Sequence, residues 1–122
     1  LGWQVWARDA NTGLNSASAA HTIASTTPGT NSVLSAGTEG YNTGLTSSQA
    51  GGTGTIAIPA AFVGGSLGRG GGLDTTLRTI ATSNGTAQNA VLTINNNVAI
   101  SSLTSAAADY SDTITIVGAG LF

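Results

Sequence analysis

Cysteine and lysine are both absent from the 122-residue chain, and each absence removes a class of chemistry. Without thiols there is no disulfide framework and no zinc–thiolate site. The cations are Arg8, Arg69 and Arg78, too few and too scattered for a patch that grips a phosphate backbone, so nucleic acid is not an expected partner. No run of about 18 apolar residues occurs, which leaves nothing of the length that a membrane-spanning helix needs. Charged residues make up 7% of the chain, aromatics 5%, and the formal net charge is −2.

Ser, Thr, Asn and Gly fill the space that charge leaves. Hydrophobic residues reach 40%, but much of that is alanine, so the expected core is thin. The length suits one domain, residues 1–122, with a single core. Polarity without charge fits short strands joined by many turns, and fits a protein held in an assembly better than one kept in solution by net charge. A surface rich in Thr, Ser, Asn and Gly and free of Lys points to an extracellular location. The start at Leu1, with neither Met nor a charged-then-apolar leader, is what a mature secreted product or a trimmed fragment would show.

The clearest strand is the last. From Asp112 the order Asp-Thr-Ile-Thr-Ile-Val sets Ile114 and Ile116 on one face and Thr113, Thr115 and Val117 on the other, the period of two that a strand requires. The stretch runs on to Phe122, and such a strand has to be enclosed by its own domain or by a neighbour. Residues 1–8 alternate Leu1, Trp3, Val5 and Ala7 against Gln4, Trp6 and Arg8, a first strand with one tryptophan on each face. Asp9 to Gly13 ends it in an Asx-type turn. A calcium loop is the alternative there, but no Gly stands at its sixth position and Ala20 stands where its Glu belongs.

Further strands are expected around Val33–Leu34, over Thr53–Pro59 with Ile56 and Ile58 inward, over Leu73–Ile80, over Asn89–Asn95 and at Val98–Ile100, with Asn95–Asn97 as a turn. Ser83-Asn-Gly-Thr86 reads as a two-residue hairpin, and Asn84-Gly85-Thr86 is also a glycosylation sequon. Glu39 and Tyr41 are expected in a loop. Residues 63–72, the most glycine-dense part, read as a mobile inter-strand loop or a place where another backbone comes close. Single helical turns are candidates at Ser47–Ala50 and Ser101–Ala107.

No motif carries catalysis. Glu39 is the only glutamate and has no facing carboxylate for glycoside hydrolysis. His21 is the only histidine, without a carboxylate nearby in sequence, and reads as a surface or strand-edge residue. The glycines of 64–72 lack both the Lys-Ser/Thr of a phosphate loop and the Gly-x-Gly-x-x-Gly spacing of a dinucleotide turn. The reading is a non-enzyme with no cofactor and no metal set.

Seven to nine short strands at intervals of 8 to 14 residues describe an antiparallel β-sandwich, expected to be immunoglobulin-like. Two stretches carry a family resemblance over about a quarter of the chain. Residues 100–116, with Tyr110, Asp112, Thr113, Ile114 and Ile116, followed by Phe122, resemble the C-terminal signature of bacterial spore-coat-protein-U and fimbrial surface subunits. Residues 2–14 resemble the start of secreted bacterial surface β-sandwiches. The resemblance implies an exported sandwich whose copies polymerise by lending a terminal strand. Those subunits often carry a disulfide that this chain lacks, which sets it apart from the chaperone-and-usher route.

With no Lys, sortase-type joining and isopeptide bonds are excluded, and the long apolar helix of type IV pilins is missing, so a filament of this chain must be held by non-covalent β contacts. The expected function is a structural subunit of an extracellular filament or coat, a homopolymer with Leu1, Trp3, Val5, Ile114, Ile116 and Phe122 as interface residues. Residues 1–8 serve either as the lent strand or as the first strand of their own domain. The alternative is a secreted carbohydrate-binding or adhesion module that stacks host or cell-surface glycans on exposed Trp6, Tyr41 or Tyr110.

Overall fold

The computed structural model describes residues 1–122. In chain order its strands are β1 (Gly2–Asp9), β2 (Gly13–Ser16), β3 (His21–Ala24), β4 (Asn31–Val33), β5 (Gly40–Ser48), β6 (Ile56–Ala57), β7 (Arg69–Gly71), β8 (Arg78–Ser83), β9 (Val91–Ala99) and β10 (Ile114–Leu121), with one 3-10 turn at Ala60–Phe62. The fold is all-β. Two four-stranded sheets, β10-β1-β8-β6 and β4-β7-β5-β9, are joined by a small β2-β3 hairpin, and every strand pair is antiparallel.

The sheets meet over a core of five buried residues: Ala7 and Ile80 from the first sheet, Leu45 from the second, and Phe62 and Leu73 from the connections. Val5, Ile58, Ala61, Ile94 and Ile114 pack around them. Burial of each large side chain contributes about 1.5–3 kcal/mol, so so small a core leaves much of the cohesion to backbone ladders. The thin core follows from the alanine-rich composition.

The first strand lies inside its sheet. β1 pairs with β10 from Gly2↔Leu121 to Asp9↔Ile114 without a break, and with β8 on its other side, where a bulge falls between Val5 and Trp6. This is the first strand of the chain's own domain, paired on both sides. It also differs from the immunoglobulin order, in which the first strand stands at a sheet edge. Val5 and Ala7 point to the core, so their β10 partners Gly118 and Ile116 share that inner face.

Several sequence expectations are corrected. Of the two readings of residues 63–72, the close approach of another backbone is the one found: Gly70 lies against the Thr43 backbone and Gly72 against that of Thr26, where any Cβ would collide, and residues 69–71 form β7, central between β4 and β5, rather than a loop. Tyr41 stands in β5 rather than in a loop. Ser47 and Ser48 extend that strand, and no helical turn forms there or at 101–107. Asn95–Asn97 run straight through β9. The Asn84-Gly85 turn joins strands of different sheets, since β9 pairs with β5 and not with β8. Of the 73–80 stretch, only Arg78 onward is strand.

Candidate functional site

The two long sides of the sandwich are built differently. On one, each sheet ends in a short strand, the two-residue β6 and the three-residue β4. The chain closes that side by leaving β6 through the 3-10 turn, whose residues contact β4, β5 and β7. On the other, the sheets end in nine-residue β9 and eight-residue β10, each paired on one side only.

These two edges carry no charge. Residues 79–108 and 113–122 contain no Asp, Glu, Lys or Arg. Val91, Val98, Ile100, Ile116, Val117 and Leu121, on or beside the two strands, are exposed. Between them Asn96 and Val98 of β9 and Ile114 of β10 line a cleft of about 440 Å³. It continues past Leu14, Val98 and Tyr110 into a second, more apolar cleft of about 330 Å³ beside Ile100.

A polar belt holds the crossover between β9 and β10 against the β2-β3 hairpin. Asp109 accepts from the hydroxyls of Ser16 and Ser18 and from the Ser18 backbone N–H, and these donors hold its carboxyl well below the usual range. Glu39 accepts from the Thr104 hydroxyl at 2.6 Å and faces His21 at 2.8 Å, and both contacts lower its pKa. His21 meets the Tyr110 ring edge-on at 6.3 Å. Deeper in, the Tyr41 hydroxyl donates to Asp112 at 3.1 Å. Burial, then the nearby Asp112 carboxylate, push the Tyr41 phenol pKa upward. Asp9 is raised by burial despite accepting from the Thr12 N–H of the Asx turn.

The hydroxyl in the His21 cluster, Thr104, donates to Glu39 and not to the imidazole. Nucleophile, base and orienting acid are therefore not in line. No group of three His, Asp or Glu side chains is placed to hold a metal ion, and no helix is long and apolar enough to cross a membrane.

Compared with known proteins, the chain matches no family model, no curated protein and no solved structure.

The expected interface residues separate into three places. Trp3 and Val5 stand in interior strand β1 beside Gly120 and Gly118, and Ile114 and Ile116 stand on edge strand β10. Leu1 and Phe122 lie just outside the strands and are exposed. Of the three aromatics expected as a stacking platform, Tyr41 is only 5% exposed and is engaged with Asp112, so it presents no face to a sugar. Asn84 is exposed, its side-chain oxygen accepting from Thr55 N–H. The β9 edge and the Val117–Gly120 half of β10 were missed as interface candidates. The signal for them is the charge-free run of 79–108 and the Gly-Ala-Gly that breaks the bulky alternation.

Proposed function

We propose that the chain is a structural subunit of an extracellular filament or surface coat, whose copies join through non-covalent contacts between sheet edges. The observation that carries this is the pair of long, uncharged edge strands, each with one side unpaired, on one side of the sandwich. An open edge presents a row of free N–H and C=O groups, and proteins that remain apart blunt it with Lys, Pro, bulges or very short strands. This chain uses short strands at β4 and β6 and none of these devices at β9 and β10. Its two prolines, Pro28 and Pro59, stand in neither edge, and its bulge lies between interior strands.

Low net charge supports the same reading, since like-charged copies would repel. So does the resemblance of both chain ends to spore-coat-protein-U and fimbrial subunits. Because β1 is paired on both sides at home, the contacts between copies are edge to edge, and no lent N-terminal strand is needed.

The test is negative-stain microscopy and sedimentation of the purified chain beside a variant with Lys at both edges, Thr93→Lys and Val117→Lys. Regular fibres or lattices from the parent and monomers from the variant are expected. A parent that stays monomeric at high concentration overturns the proposal.

A further inference from the structure

Neither space nor backbone conformation in the isolated chain requires glycine at two positions of β10. A Cβ on Gly118 would touch only Val5 Cγ2, at 3.9 Å, and one on Gly120 only the Phe122 ring. Neither has the positive φ seen at Gly29 or Gly68. Glycine inside a strand weakens it, and one standing use for it there is the close approach of another backbone.

The direction of the free backbone groups is fixed by the ladder. The Thr113 carbonyl accepts from Ala10 N–H, and the unbroken register pairs each β10 residue with β1 in turn. In an antiparallel ladder, successive residues alternate between bonding that neighbour and facing away. Thr115, Val117 and Ala119 therefore bond β1, and Ile114, Ile116, Gly118 and Gly120 turn their N–H and C=O groups to the open edge.

We propose that β10 pairs antiparallel with β10 of a second copy, about a two-fold axis through Val117. This deepens the assembly reading and rests on it. It is the one register in which all four outward residues find outward partners within the strand. Ile114 then lies opposite the partner's Gly120, and Ile116 opposite the partner's Gly118. On the other face Thr115 meets the partner's Ala119, and Val117 meets its own copy, a β-branched pair suited to a sheet. Each bulky inner-face residue is met by a glycine, so two identical strands approach without a clash, as an isologous contact requires. Ile116, 50% exposed in the single chain, is covered. The two sheets join into one, β6-β8-β1-β10 continuing through the partner's β10-β1-β8-β6.

The absence of cysteine makes the register directly testable. Val117→Cys places two thiols opposite each other in a non-hydrogen-bonded pair, where the Cα atoms are about 4.5 Å apart and within disulfide reach. Thr115→Cys places its two thiols roughly 14 Å apart along the strands, out of reach. Under mild oxidation the first variant is expected to run as a covalent dimer on a denaturing gel and the second as a monomer. Gly118→Lys, whose Cβ would meet only Val5 at ordinary contact distance, is expected to keep the parent's circular dichroism and melting and to lose the dimer in sedimentation. A Val117→Cys protein that does not cross-link, equal cross-linking of both variants, or a Gly118→Lys protein that still dimerises overturns the axis. Microscopy of the same samples separates the two proposals: polymers without the Val117 cross-link leave the assembly reading standing with another contact, and monomers remove both.

Discussion

The Asp109 carboxylate accepts a 2.7 Å hydrogen bond from the Ser18 hydroxyl and a 3.0 Å bond from its backbone N–H, fastening the crossover before β10 to a hairpin 91 residues earlier in the chain. With the Glu39–Thr104 and Tyr41–Asp112 contacts, it makes the long connection an ordered wall of the cleft. The exposed edge strand is thereby held in register by its approach as well as by β1.

Acid should loosen this belt. Asp109, Glu39 and Asp74 all have carboxyl pKa values lowered in the folded chain, each first by side-chain hydrogen bonds: Ser16, Thr104 and Arg78 respectively. A lowered folded pKa contributes stability that is present above the unfolded value, about 4, and lost as pH falls through the folded one. Asp9 acts oppositely, because its raised pKa makes ionisation costly and returns some stability on acidification. Protonation removes the hydrogen bonds that the Asp109, Glu39 and Asp74 carboxylates accept, so the urea midpoint should fall from neutral pH toward pH of about 2, by less than those three groups alone would give because Asp9 works against them. Asp109→Asn should lower the neutral midpoint modestly and flatten that dependence. An unchanged slope would show that Asp109 is not a contributor.

Leu45→Ala tests how thin the core is. Leu45 is a fully buried member of the five-residue cluster, and such truncations cost about 2–5 kcal/mol against a total stability of about 5–15 kcal/mol. The variant should show a markedly lower urea midpoint or a partly unfolded population at room temperature. Val91→Ala, at an exposed edge position, should shift the midpoint hardly at all. Equal effects would mean that the core is not where the structure places it.

What was legible in the sequence was the part written in alternating side chains. The last strand and the first showed their two faces because Ile114 and Ile116, or Val5 and Ala7, recur at every second position. β5 and β7 were hidden because their glycines serve the neighbouring backbone: Gly44 and Gly70 make room where Arg69 and Thr43 cross, and glycine looks the same in a loop. The Asn95–Asn97 run read as a turn because asparagine commonly supplies one. Here Asn97 donates to Asn42 at 3.0 Å and Asn96 accepts from Thr43 at 2.9 Å, so a partner strand, invisible locally, keeps them extended. The Asn84-Gly85 hairpin signal was overridden because β9 pairs with β5 in the other sheet, and Asn84 accepts from Thr55 N–H instead. The open side was half legible, since absence of charge can be read from a sequence but edge position cannot.

Two glycine substitutions should behave in opposite ways. In Gly72→Ala the new methyl would collide with the Thr26 carbonyl, between two backbones already bridged at Pro28 and Gly72, and neither can retreat without breaking the bridge. Strong destabilisation or insoluble expression is expected. Gly118→Ala meets only ordinary contact with Val5 and restricts the unfolded chain, so at dilutions where the chain is single it should be neutral or gain up to about 1 kcal/mol. Thermal melts of the two proteins check this, and a Gly72→Ala protein as stable as the parent would contradict the close approach at β7.

Assembly through uncharged edges should also have a distinctive salt response. Contacts made by charged side chains weaken as ionic strength rises, because at about 1 M salt the screening length is only about 3 Å. Residues 79–108 and 113–122 bring no charges to β9 or β10, and backbone hydrogen bonds with apolar side chains are indifferent to screening. Sedimentation in dilute buffer and in about 1 M sodium chloride should therefore give the same distribution of species. Sulfate, which strengthens apolar burial by exclusion from the surface, should drive the distribution to larger species. Dispersal by sodium chloride would place the contact on the charged residues instead, with Asp74, Arg78 and Arg8 as the first to substitute, and would remove the β9 and β10 edges as the means of assembly.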